Sequence, residues 1–98
     1  MKEVLEAAQE QMSPMGYASL ASLLLYTVDA KMREYAASGH KDLKKVLDLR
    51  DQLIEVEADG TAIDTLKEAC NTIGELGLVP EDRFKELVEG CIRDFPPE

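Results

Sequence analysis

The sequence predicts an all-α fold: a single domain, residues 1–98, folded as a compact bundle of about five helices. Ala and Leu, which favour helix, are frequent, and there are few runs of β-branched residues. Apolar residues recur at spacings of three and four, which is the period of a helix with one buried face. The 45% apolar fraction is that of a globular chain, and 98 residues suffice for one modest hydrophobic core.

The predicted centre of the bundle is a long second helix at residues 14–38. Ser13 is a suitable N-cap, Pro14 fits the first turn because it has no N–H to satisfy, and Gly39 suits a left-handed end. From position 15 to position 28 the chain carries no charge, and apolar side chains occur on every face. A helix of this kind is usually buried on several sides, and we expect that here.

The other four helices are predicted from their apolar stripes and boundary residues, and they cover residues 2–12, 41–58, 62–76 and 81–94. Asp59 and Gly60 are the predicted end of the third helix. Thr61 and Asp64 have the spacing of a capping box at the start of the fourth, with Asp in place of the usual Glu or Gln.

The two cysteines, Cys70 and Cys91, lie on the apolar stripes of the last two helices and are predicted to be buried free thiols. That state suits a reducing cytoplasm, although the sequence alone leaves a disulfide between them open. Two Cys and one His are too few to indicate a metal site. We therefore predict no metal and no cofactor.

Two further features predict a cytoplasmic protein without a membrane segment. The first ten residues contain three Glu, where a secretory signal would have a basic segment. The uncharged run of residues 11–28 includes Gln, Pro, Gly, Thr and three Ser. A membrane span needs about 20 predominantly apolar residues, so this run is too short and too polar.

The net charge of −9 arises entirely in the second half of the chain. Residues 1–50 carry seven basic and seven acidic side chains, whereas residues 51–98 carry four basic and thirteen acidic ones. An acidic surface repels phosphate backbones and attracts basic partners. We therefore expect no direct binding of nucleic acid.

Six acidic residues bracket the predicted turn between the third and fourth helices: Asp51, Glu55, Glu57, Asp59, Asp64 and Glu68. The third helix begins with cations and ends with anions, which is opposite to the preference of the helix dipole. Three of the acids also follow one another at intervals of four, where like charges repel. These costs indicate a binding site for a basic partner, and a solvated acidic face is the alternative.

These features predict a small acidic protein-binding module rather than an enzyme. Its acidic C-terminal half would dock on a basic protein surface, such as the nucleic-acid groove of a nuclease. Small acidic helical proteins that act in this way include immunity proteins, antitoxins and phage-borne inhibitors, so the analogy is to bacterial or phage proteins. A homodimer formed by apolar residues outside the core stays open.

A catalytic alternative depends on Arg33 and His40, which enclose six residues. This spacing resembles the Arg-x(4–6)-His motif of the HEPN nucleases, which are small all-α domains. The resemblance implies that Arg33 would hold an RNA phosphate and that His40 would transfer a proton in a dimer cleft. Glu34 follows the Arg, where that family usually has Asn, Asp or His.

A second resemblance covers residues 55–88, which are similar to an EF-hand followed by its linker and next helix. The loop order of three acids, Gly, a variable residue and Ile is represented by Glu55, Glu57, Asp59, Gly60, Thr61 and Ile63. Ile63 is one position late and Glu68 two, so a twelve-residue loop does not close. The resemblance therefore implies a degenerate, metal-free helical adaptor.

Overall fold

The computed structural model describes residues 2–97, which contain five α-helices and no strand. The helices are α1 (Lys2–Ala7), α2 (Pro14–Ser38), α3 (Leu43–Ala58), α4 (Ile63–Leu76) and α5 (Glu81–Asp94). The predicted all-α bundle is thus confirmed, and the bounds of α2 and α5 are those predicted. None of the helices in the described part of the chain has the length and hydropathy needed to cross a membrane.

The first helix is shorter than predicted, because it ends at Ala7 and not at residue 12. Glu10 has a φ of 69°, a left-handed conformation that an α-helix cannot contain. The turn redirects the chain so that the Ser13 N–H donates to the Phe95 carbonyl at 2.9 Å. Ala8 and Met12 are nevertheless buried, so the predicted apolar face enters the core without being helical throughout.

Both predicted ends of α2 are confirmed. The Ser13 hydroxyl accepts a hydrogen bond from the Gly16 N–H at 3.4 Å, and Pro14 occupies the first turn. Gly39 adopts the left-handed conformation at φ 65°, and the His40 N–H then reaches back to the Tyr35 carbonyl at 2.9 Å. This is the Schellman arrangement, in which glycine avoids the strain that a Cβ would cause.

α2 and α3 form an antiparallel pair, which is the most extensive helix contact of the fold. α4 packs on α3, α5 packs on α2, and α1 lies against α4 and α5. The Gly60 backbone after α3 contacts Pro14 at the start of α2, and a Cβ on Gly60 would overlap the Pro14 carbonyl oxygen. This contact fixes the hairpin at one end, and the Gly39 turn closes the other.

The core lies on one side of the α2–α3 pair and is entirely apolar. Its largest fully buried side chains are Phe84, Leu5, Leu20, Leu24, Leu49, Leu53, Leu66 and Ile73. The opposite side of α2 is exposed to solvent, since Tyr26 is 79% exposed and Met15 is 68% exposed. α2 therefore packs on two sides, against α3 and α5, while the other four helices leave one of its faces uncovered.

Candidate functional site

All six predicted acidic residues are exposed to solvent, and among residues 3–97 none of them takes part in an ion pair. Asp51 and Glu55 are one turn apart and lie away from the buried stripe of α3. Asp64 is in the first turn of α4, where the helix dipole favours an anion. The six carboxylates thus surround the α3–α4 turn, and they do not share one face.

Two of the six residues, Glu57 of α3 and Glu68 of α4, lie on different sides of α3. Glu57 lines a groove between α2 and α3. Glu68 lies on the α4 side, where the Gln52 side chain donates to its carboxylate at 3.4 Å. Asp51 and Glu55 therefore form the outward part of the acidic surface, and Glu57 belongs to the groove.

Asp59 has a structural role in the α3–α4 turn. Its carboxylate accepts hydrogen bonds from the Thr61 hydroxyl at 2.6 Å and from the Thr61 N–H at 3.0 Å. These bonds favour the charged form and hold the pKa of the Asp59 carboxyl below its ordinary value of 3.8. The predicted capping box of Thr61 and Asp64 does not form, because Ala62 occupies the N-cap and no side chain caps α4.

The α3–α4 connection also differs from the EF-hand resemblance. Only residues 59–62 separate the two helices, and Glu55, Glu57 and Glu68 lie inside them. An EF-hand surrounds its cation with a loop of about twelve residues, which a four-residue turn cannot do. No group of three or more His, Cys, Asp or Glu side chains within residues 2–97 is arranged to hold a metal ion.

Arg33 and His40 lie in different surroundings in one chain. Arg33 is exposed and lines the α2–α3 groove, whereas His40 lines a separate depression along the last two turns of α2. The His40 ring stacks on Tyr35 at a centroid distance of 3.9 Å, and its Nδ1 accepts from the Asp42 N–H at 3.0 Å. His40 thus orders the turn before α3, and one chain does not bring the two side chains together.

The groove between α2 and α3 is a feature that the sequence analysis missed. It has a volume of about 690 Å³ and is lined by Ser22, Leu25, Tyr26, Asp29, Ala30, Arg33, Arg50, Ile54 and Glu57. Two signals were present in the sequence. The uncharged stretch of α2 extends over faces that the core does not need, and Ile54 lies outside the buried stripe formed by Val46, Leu49, Leu53 and Val56.

Both cysteines are free and buried, as predicted. Burial raises the pKa of the Cys70 thiol to about 12, and it also raises the pKa of Cys91. A thiol in this state is a poor nucleophile, because the thiolate is the reactive form. The two residues therefore serve as packing groups and not as reactive sites.

No protein-family model matches the chain, and no curated protein or solved structure is significantly similar to it.

Proposed function

We propose that the chain is a small protein-binding module whose acidic surface docks on a basic protein partner. The observation that carries the proposal is the state of the six carboxylates around the α3–α4 turn. They are exposed, and no Lys, Arg or His of residues 3–97 pairs with them. A basic partner would supply the missing cations and would relieve the repulsion between Asp51 and Glu55.

The uneven charge of the chain supports a partner with a basic surface. Residues 51–98 carry the whole net charge of −9, so long-range attraction would orient this half toward a positive surface before contact. Nuclease grooves that bind a phosphate backbone have such surfaces. The proposed class is accordingly an inhibitor, immunity or antitoxin-type protein of a bacterium or a phage. Its buried free thiols suit a reducing compartment, which we take to be the cytoplasm.

A titration with a defined basic probe tests whether the acidic surface is selective. The ¹⁵N-labelled protein is mixed with a Lys/Arg-rich peptide of about twelve residues, and amide shifts are followed by NMR. We expect the shifts to concentrate at residues 51–59 and 64–68. Equal shifts at the exposed carboxylates of α5, Glu86 and Glu89, would overturn the proposal of a selective surface.

Capture experiments with matched variants test the protein partner. Asp51→Lys/Glu55→Lys reverses two outward charges of α3, and Glu86→Lys/Glu89→Lys makes the same change in net charge on α5. We expect a bound partner to be retained by wild type and by the α5 variant and to be lost by the α3 variant. A partner bound equally by both variants would count against the acidic surface. If the partner is a nuclease, inhibition of its activity should follow the same order.

A further inference from the structure

We propose that the uncovered α2–α3 face is an interface between two copies of this chain, paired antiparallel about a twofold axis. The axis lies in the plane of the face and crosses both helices. The proposal shares Glu57 with the acidic surface, but Asp51 and Glu55 lie outside the groove, so variants of these two residues test the acidic-surface function separately.

The first argument is the exposed apolar content of this face. Met15, Leu23 and Tyr26 of α2 are 68%, 40% and 79% exposed, and Leu47 and Ile54 of α3 are 42% and 40% exposed. These are all the large apolar side chains that are exposed within the described chain, and every one belongs to α2 or α3. Tyr26 and Ile54 line the groove itself, whereas Met15 lines a separate depression at the start of α2. Exposed apolar side chains concentrated on two adjacent helices mark an interaction surface.

The second argument is the placement of charge in the groove. The ion pair between Arg50 and Asp29 lies between the two ends of the groove, and the charges of these two side chains neutralise each other. Arg33 is four residues beyond Asp29 along α2, and Glu57 is seven residues beyond Arg50 along the antiparallel α3. At 1.5 Å per residue, Arg33 and Glu57 are therefore about 16 Å apart along the groove, one at each end. Neither has an ion-pair partner among residues 3–97.

A twofold axis across the two helices exchanges the two ends of the groove. Arg33 of one copy then stands at the level of Glu57 of the second copy, and the reverse pair forms by symmetry. Tyr26 lies near the axis, where its ring can fill the groove of the second copy beside Ile54. A parallel arrangement would instead place Arg33 next to Arg33, so the charges select the antiparallel one.

The size of the α2–α3 face is compatible with a second copy of the chain. α2 is 25 residues long, which is about 37 Å, and two helices side by side are about 20 Å wide. α3 has 16 residues and is about 24 Å long, so the flat area is about 600 Å² per copy, or about 1,200 Å² in the pair, which is the low end of the range for specific interfaces. Ser22 and Ala30 are small residues of α2 that line the groove and leave room for a second helix.

Sedimentation equilibrium tests the proposal. Protein concentrations of about 1–100 µM span the Kd expected for a dimer of moderate affinity. We expect wild type to approach twice the 10.9 kDa of one chain. Arg33→Glu and Glu57→Arg should each weaken the dimer about tenfold or more, and the combined swap should restore the Kd to within about threefold. Tyr26→Ala should weaken it by a similar factor because it removes the central ring.

Matched controls make the result specific to this face. Lys85→Glu and Glu75→Arg produce the same changes of net charge on α5 and α4, and they should leave the Kd unchanged. Asp51→Lys/Glu55→Lys should also leave it unchanged, so the dimer and the acidic-surface function can fail separately. Three outcomes would each overturn the proposal: a monomer at the highest concentration, a dimer indifferent to Tyr26→Ala, or a swap that does not restore pairing.

Discussion

Asp29 of α2 and Arg50 of α3 form the one ion pair that joins two helices within residues 3–97. The Arg50 Nε donates to the Asp29 carboxylate at 2.8 Å. The two residues are 21 positions apart, so the pair links the two helices of the hairpin, and it lies between the two ends of the groove. Arg33 and Glu57 are placed along the groove by counting residues from this ion pair.

Removing this pair should weaken the hairpin by a modest amount. Both side chains are more than a third exposed, so we expect a coupling free energy of about 0.5–1 kcal/mol in a double-mutant cycle of Asp29→Ala and Arg50→Ala. Urea unfolding gives the four values that the cycle needs. The exposed Arg83–Glu86 pair within α5 is the comparison, and its coupling should be at most about 0.5 kcal/mol. Equal coupling in the two cycles would contradict a special role for Asp29 and Arg50.

Gly60→Ala should destabilise the protein by about 1–3 kcal/mol or more, because the added Cβ would overlap the Pro14 carbonyl and push α3 from α2. Gly90→Ala is the control. Gly90 lies inside α5, and the nearest atom to an added Cβ there is the flexible Arg93 guanidinium at 3.7 Å. That change should stabilise by about 0.5–1 kcal/mol, since Ala is the better helix former. Denaturant midpoints that move in the same direction would show that the contact with Pro14 is unimportant.

His40→Ala should lower the free energy of unfolding by about 1 kcal/mol, because the Asp42 N–H loses its acceptor and Tyr35 loses its stacking partner. His40→Asn should recover part of this loss, since Asn supplies an acceptor two residues before Asp42. An RNA-cleavage assay on the same variants addresses the nuclease alternative. We expect no cleavage by any of them; cleavage by wild type that disappears in His40→Ala would favour catalysis instead.

Because the Cys70 thiol is buried, it should make the free energy of unfolding decrease as the solution becomes alkaline. Its pKa rises from 9.0 in the ordinary state to about 12 in the folded chain, so only the unfolded chain ionises between these values. Stability from this group is complete below pH 9 and is lost as the pH rises, by about 1.4 kcal/mol per unit. Cys70→Ala should remove this component of the slope in urea unfolding between pH 8 and about 10.5, a range chosen to span the unfolded value. An identical slope in the variant would contradict the burial of the thiol.

The Asp59 carboxyl should behave in the opposite way on the acid side. The hydrogen bonds from Thr61 hold its folded pKa below 3.8, so their contribution to stability is present above pH 3.8 and is lost as the pH falls through the folded value. Thr61→Val removes the hydroxyl donor and keeps the N–H donor, and it should raise the pKa of Asp59 toward 3.8. NMR titration of the carboxyl carbon measures this directly. An unchanged pKa would mean that the hydroxyl does not bind Asp59 in solution.

Local signals in the sequence determined most of the helix boundaries. Ser13, Pro14 and Gly39 act within one or two turns of where they stand, and for this reason α2 has the predicted bounds. The start of α3 is displaced by two residues and that of α4 by one, because His40 and Asp59 organise the turns with bonds that spacing does not reveal. The end of α1 was missed because no rule of propensity predicts a left-handed Glu10.

The sequence by itself thus established an all-α chain, its five helices and its excess of acid near the α3–α4 turn, since these depend on residues close in the chain. Tertiary packing decided which face of α2 is covered. One face is uncovered because four shorter helices are too few to surround a helix of 25 residues. Packing also separated Glu57 from Asp51 and Glu55, and it brought Asp29 to Arg50. Such contacts depend on the direction in which two helices cross, which the period of a single helix does not contain.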